Sequence, residues 1–130
     1  MVSDQIQSGV AVADFSASPK ARIRSTGMDA VRLDGGFWAK HFERMRDVSL
    51  PMLRDLAADP ECGHVYDNLR IAAGTKQGEF KGVEWSDEWA YKWIEAAAAI
   101  YRTDPSAELD RQMDELIDLI AAAQEPDGYL

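Results

Sequence analysis

Apolar residues recur at helical intervals through the second half of the chain. Leu109, Met113, Leu116, Ile120 and Ala123 follow at steps of four, three, four and three, which lines them up on one helix face. Trp89, Trp93, Ala96, Ala97 and Ile100 trace a second such face over Glu88 to Arg102. Ser86 or Asp87 can cap the first amides of that helix. Thr103-Asp104-Pro105 ends it and starts the next, with Asp104 expected as the cap and Pro105 in the first turn. Pro126 and Gly128 predict that the following helix stops near Gln124. Long helices joined by so short a connection predict an antiparallel hairpin.

The first half is less regular. From Phe37 to Ala58 the period is helical, with Phe42, Met45, Met52 and Leu56 as the expected apolar stripe. Pro51 lies inside this run and should kink or split it. Asp59-Pro60 marks a loop, and Tyr66 to Ala73 predicts a short helix ended by Gly74. Thr75 to Trp85 contains Gly78 and Gly82 and lacks helical character. Ala21 to Leu33 reads as one extended segment interrupted at Gly27, closed by the turn signal Asp34-Gly35-Gly36. Residues 1–20 show no period and are expected to form a flexible lead, with residues 21–130 as a helical domain. The close of the sequence, Asp127-Gly128-Tyr129-Leu130, is a turn followed by two large apolar residues, and predicts a piece of a larger domain.

At 130 residues and 46% hydrophobic content the chain can bury a core. Fourteen Lys and Arg stand against 23 Asp and Glu, and the net charge of −9 disfavours nucleic acid as a partner. No apolar run is long enough to span a bilayer, and Asp4 and Asp14 interrupt the opening segment, so no signal peptide is read and a cytoplasmic location is expected. The single cysteine, Cys62, excludes an internal disulfide framework. Cys62, His64 and His41 do not make a zinc-ligand pattern.

Candidate chemistry is densest from Phe80 to Glu95. Aromatic faces stack on sugar C–H patches and carboxylates accept hydroxyl hydrogen bonds, and this stretch offers both. Most of these residues also have a plain structural explanation. Tyr91 and Trp93 sit at core spacing, Asp87 suits a helix cap, and Lys92 and Glu95 suit exposed helix positions. Trp85 and Trp89 flank the cap beside a glycine-bounded loop and point instead to a surface with a purpose. Glycosidases of the ordinary kind need two acids about 5 to 10 Å apart, and no pair here compels that geometry. Phosphate loops and Gly-x-Ser-x-Gly elbows are absent from the sequence.

Several segments in order resemble glycoside hydrolase family 127, the β-L-arabinofuranosidase type. They are Val31-Arg32-Leu33-Asp34-Gly35-Gly36-Phe37-Trp38, Asn68-Leu69-Arg70-Ile71-Ala72-Ala73-Gly74, Phe80-Lys81-Gly82, Asp87 with Tyr91-Lys92-Trp93-Ile94-Glu95-Ala96, and Ala123-Gln124-Glu125-Pro126-Asp127-Gly128-Tyr129-Leu130. Each motif is weak alone; five in order over Ala21 to Leu130 are specific. The resemblance implies a mainly α fold: the opening helices of an (α/α)6 barrel, after a short extended N-terminal segment. It also implies removal of terminal arabinofuranose or related sugars with retention, by a zinc-held cysteine thiolate nucleophile and a glutamate acid/base. Those residues would lie after Leu130, and Cys62 does not match the family's zinc cysteines, so no catalytic or metal residue is assigned here. After Asp87 the family commonly carries a serine and a second aspartate where this chain has Glu88 and Trp89, a departure that bears on which sugar is accepted.

An antiparallel hairpin brings the loop before its first helix and the loop after its second to one rim. Trp85, Asp87, Trp89, Asp127 and Tyr129 are therefore the expected substrate-binding residues, with a carbohydrate as partner. Zinc is expected of the whole family member and not of these residues. The alternative is a non-catalytic helical module for interaction or sugar binding. Apolar helix faces left uncovered would promote self-association.

Overall fold

A computed structural model describes residue 13, residues 17–23 and residues 26–130, so most of the expected flexible lead (residues 1–12 and 14–16) lies outside the described residues. Five α-helices carry the structure: α1 (Gly36–Arg44), α2 (Leu50–Ala58), α3 (Val65–Ala72), α4 (Glu88–Thr103) and α5 (Ala107–Ala123). No strand occurs among the described residues. No described helix is long and apolar enough to cross a membrane.

The extended segment expected over Ala21 to Leu33 is a correction in part. A 3-10 turn at Met28–Ala30 breaks it, and extended geometry returns at Val31. Ile23, Val31 and Leu33 are all exposed, so no neighbouring surface holds them in a strand.

Helices α1 and α2 form one continuous rod joined by a π-helical turn, Met45–Ser49. The Leu50 amide reaches back five residues to the Met45 carbonyl. Pro51, in the first turn of α2, explains the widening, because in a regular helix its ring would strike the carbonyl four residues back. The added residue rotates everything after it by about 100°. The expected stripe of Phe42, Met45, Met52 and Leu56 is therefore corrected after the turn, at Met52 and Leu56, and Met45, where the turn begins, is exposed as well. The buried side is Leu50, Leu53 and Ala57, whereas Met45, Met52 and Leu56 are exposed. Arg46 and Arg54 fall on the same rotated side and reach across to Asp104 at 2.6 Å and Glu115 at 3.1 Å.

Helix α2 packs on α3 and α4, and α5 packs on those same two helices. The four share one core built on Leu50, Val65, Tyr66, Leu69, Trp93, Ile100, Met113 and Leu116. Small residues let α4 run through its middle: Ala90 and Ala97 are essentially without exposed surface. Trp93 anchors α4 to α2, its indole Nε1 donating to the Leu50 carbonyl at 2.9 Å.

The α4–α5 connection differs in detail from the sequence expectation. Ser106, not Asp104, caps α5, its Oγ accepting from the Leu109 amide at 3.3 Å. Asp104 instead closes α4 and pairs with Arg46, and Pro105 lies ahead of the helix. A serine two residues further on competes successfully because the Arg46 guanidinium claims the aspartate. Helix α5 ends at Ala123 with Gln124 as its cap, as expected from Pro126.

Candidate functional site

The approach to α4 is a fourteen-residue loop, Ala73 to Ser86, pinned along α3. Gly74, at φ 71°, turns the chain off the helix, and its amide donates to the Ile71 carbonyl at 3.0 Å. The Arg70 carbonyl accepts from the Thr75 and Lys76 amides at 2.9 and 3.1 Å and from the Thr75 hydroxyl at 3.1 Å. Lys76 and Arg70 both pair with Asp67, and the bonded Lys76 ammonium, followed by Arg70, holds the Asp67 carboxyl below the usual carboxylate range. Further along, the Asn68 side chain grips the Lys81 backbone twice. Its Nδ2 donates to the Lys81 carbonyl at 2.8 Å, and its Oδ1 accepts from the Lys81 amide at 3.1 Å.

Successive three-residue turns then lead into the helix. The Ser86, Glu88, Trp89 and Ala90 amides donate to the carbonyls of Val83, Trp85, Ser86 and Asp87. These backbone bonds satisfy the donors that a side-chain cap would serve. The expected capping by Ser86 or Asp87 is accordingly a correction: neither side chain makes a cap hydrogen bond. Asp87 Oδ2 accepts instead from the Tyr91 hydroxyl at 2.9 Å. Partial burial, then that bond to a carboxylate, pushes the Tyr91 phenol up to about 12.

Trp85 is 63% exposed and Trp89 45%, so both rings stand at the surface. Trp93 is core, and Lys92 pairs with Glu88 one turn back on the exposed face at 3.0 Å. Tyr91 is half-buried on α4. The Asp87–Tyr91 bond escaped sequence analysis although the spacing of four residues was its signal.

Beyond α5 the chain closes into a tight loop. The Glu125 amide donates to the Tyr129 carbonyl at 2.8 Å and the Gly128 amide to the Glu125 carbonyl at 2.9 Å. Gly128 has φ 94°, a backbone state that suits glycine. Asp127 Oδ1 accepts from the Tyr129 amide at 3.0 Å, and Gln124 Nε2 donates to the Gly128 carbonyl at 2.9 Å. Glu125, Pro126, Asp127 and Tyr129 line an open depression of about 400 Å³, and the Tyr129 ring is 74% exposed.

Helices of 16 and 17 residues joined by Asp104-Pro105-Ser106 and packed together place the start of α4 and the end of α5 at one end of the hairpin. Backbone topology thus gathers Trp85, Asp87 and Trp89 on one side of this end and Asp127 and Tyr129 on the other. Among the described residues no hydrogen bond or ion pair joins the two loops. Each is stabilised locally.

The zinc implied by the sequence resemblance finds no ligand set among the described residues, where no three His, Cys, Asp or Glu side chains converge. Cys62 is an exposed free thiol, and His41 sits against Phe37 with ring centres 4.1 Å apart.

Comparison with known proteins agrees with the sequence resemblance. The profile of the β-L-arabinofuranosidase GH127 catalytic domain matches residues 30–130. A non-reducing end β-L-arabinofuranosidase from Bifidobacterium longum subsp. longum is 45% identical over 67 residues, which are 52% of this chain and 10% of that protein. The crystal structure of a family 127 β-L-arabinofuranosidase from Geobacillus stearothermophilus T6 superposes with a TM-score of 0.74 at 36% identity, covering 77% of this chain and 16% of that one. A second family 127 β-arabinofuranosidase structure superposes with a TM-score of 0.71 at 29% identity, covering 79% and 16%. The chain therefore spans only about a sixth or less of the length of these relatives. Their catalytic domain is an (α/α)6 barrel, of which the five helices here are the opening part. With 101 consecutive residues matched to its catalytic domain, this chain belongs to glycoside hydrolase family 127, the β-L-arabinofuranosidase family.

Proposed function

We propose that this chain forms the first part of a glycosidase barrel that removes terminal β-L-arabinofuranose, or a closely related sugar, from glycans with retention of configuration. The observation that carries the reading is the match of residues 30–130 to the family's catalytic domain. In this reading the loops at one end of the α4–α5 hairpin border the sugar. Trp85 and Trp89 offer exposed faces to the ring, and Asp87, held in place by Tyr91, accepts a sugar hydroxyl. Asp127 and Tyr129 approach from the other loop, whose open depression is of a size for one monosaccharide. Methyl β-L-arabinofuranoside titrated into the isotopically labelled chain should shift the indole N–H signals of Trp85 and Trp89 and the amides of Asp127 and Tyr129. If signals elsewhere move and these stay still at saturating ligand, the site is misassigned; if nothing moves, the rim does not bind this sugar.

Self-association belongs to the same reading. The outward side of the α1–α2 rod carries Trp38, Met45, Val48, Met52 and Leu56 in helical succession, all exposed. Such a stripe on a lone chain is best covered by a second copy.

A further inference from the structure

We propose that Asn68 is the positioning residue of the sugar rim, fixing the loop before α4 so that it meets its ligand preformed and does not close over it. The inference rests on the proposed function above. Loops that act as lids are tied at their ends and free between. This one is tied to a single helix at its start and again at its middle. Its first turn hangs on the Arg70 carbonyl, Lys76 pairs with Asp67, and the Lys81 backbone is clamped by Asn68 at 2.8 and 3.1 Å. Among the described residues, Asn68 is the α3 side chain that reaches this middle stretch with both a donor and an acceptor, an arrangement that copies a strand-to-strand pair and fixes height and orientation together. The anchoring extends to close contact. A Cβ on Gly78 would come to 3.2 Å from Ile71 Cδ1, and one on Gly82 to 3.5 Å from the His64 ring.

What the clamp holds up is unusual for so well-tied a loop. Phe80, next to the clamped residue, is 54% exposed, and Val83 and Trp85 are exposed as well. A loop tied only for stability would turn its large apolar side chains inward. Rigid backbone with outward aromatics is the arrangement of a stacking platform, in which ordering costs are met on folding and not on binding. The pentofuranose itself comes from the proposed function; the platform contributes aromatic faces for a sugar C–H patch, with Phe80 joining Trp85.

Amide exchange and titration with methyl β-L-arabinofuranoside test this on the 130-residue chain. In the unmodified chain the Lys81 amide should be protected without ligand. Asn68→Ala should release that amide alone, leaving Ala97 and Leu116 in the core as slow as before. Affinity for the glycoside should fall by about fivefold to tenfold, the cost of ordering a loop on binding. Asn68→Asp, which keeps the acceptor for the Lys81 amide and loses the donor for its carbonyl, should fall between. Rapid exchange at Lys81 in the unmodified chain overturns the clamp, and so does unchanged exchange in Asn68→Ala. Released exchange with unchanged affinity overturns the positioning role. Trp85→Ala separates the two readings: loss of binding there with Asn68→Ala neutral keeps the site and rejects Asn68, whereas no binding by the unmodified chain rejects the site itself.

Discussion

The indole of Trp93 donates its hydrogen bond to the carbonyl of Leu50, 43 residues earlier, and so ties the middle of α4 to the first residue of α2. Leu50 stands just after the π turn and just before Pro51, so the tie also fixes the register in which the rotated rod meets the core. Trp93→Phe keeps the ring's apolar bulk but removes the donor and part of the packed surface. It should lower unfolding stability by about 1 to 3 kcal/mol, measured by chemical denaturation. A loss below a few tenths would mean the bond contributes nothing.

Asp87 and Tyr91 make a pH-dependent pair. The phenol is raised to about 12, so Tyr91 stays neutral in the folded chain while an unfolded tyrosine loses its proton near 10. Its contribution to stability is therefore complete below about 10 and disappears as pH rises from there to about 12. Absorbance titration of the phenolate should show late steps from Tyr91 and from Tyr66, whose burial also pushes its phenol up. Asp87→Asn should bring the Tyr91 step to lower pH and leave the Tyr66 step in place. A titration curve of Tyr91→Phe that is identical to that of the unmodified chain would remove Tyr91 from the late steps.

Ser106 is the one side-chain cap on α5. Ser106→Ala should cost about 1 kcal/mol, and Ser106→Asp should recover most of that. Asp104→Ala tests the rejected alternative. It removes the exposed partner of Arg46 and should change stability less than the serine substitution does, as thermal melts of the two variants will tell.

The outward stripe of the rod predicts concentration-dependent association. Sedimentation velocity on the unmodified chain should give a mass that grows with loading, and Val48→Glu with Met52→Glu should return it to the monomer. Both residues are more than half exposed, so the two charges enter water and should leave the melting temperature nearly unchanged. A unmodified chain that stays monomeric at every loading removes the proposed self-contact.

Local order was written into the residues themselves. The steps of three and four from Leu109 to Ala123 and the pairing of Pro126 with Gly128 determined α5 and its end, and Thr103-Asp104-Pro105 determined the break between α4 and α5, because each depends only on neighbours within a turn or two. Five short motifs in order were enough to name the family. The tertiary structure decided whatever depends on competition between distant partners. Arg46 drew Asp104 away from the α5 cap, and the extra residue at the π turn carried Met52 out of the core and Leu50 into it. Asn68 found the Lys81 backbone thirteen residues away. No period encodes those pairings, since a hydrogen bond across folded space is chosen by where the packed helices leave a donor facing an acceptor.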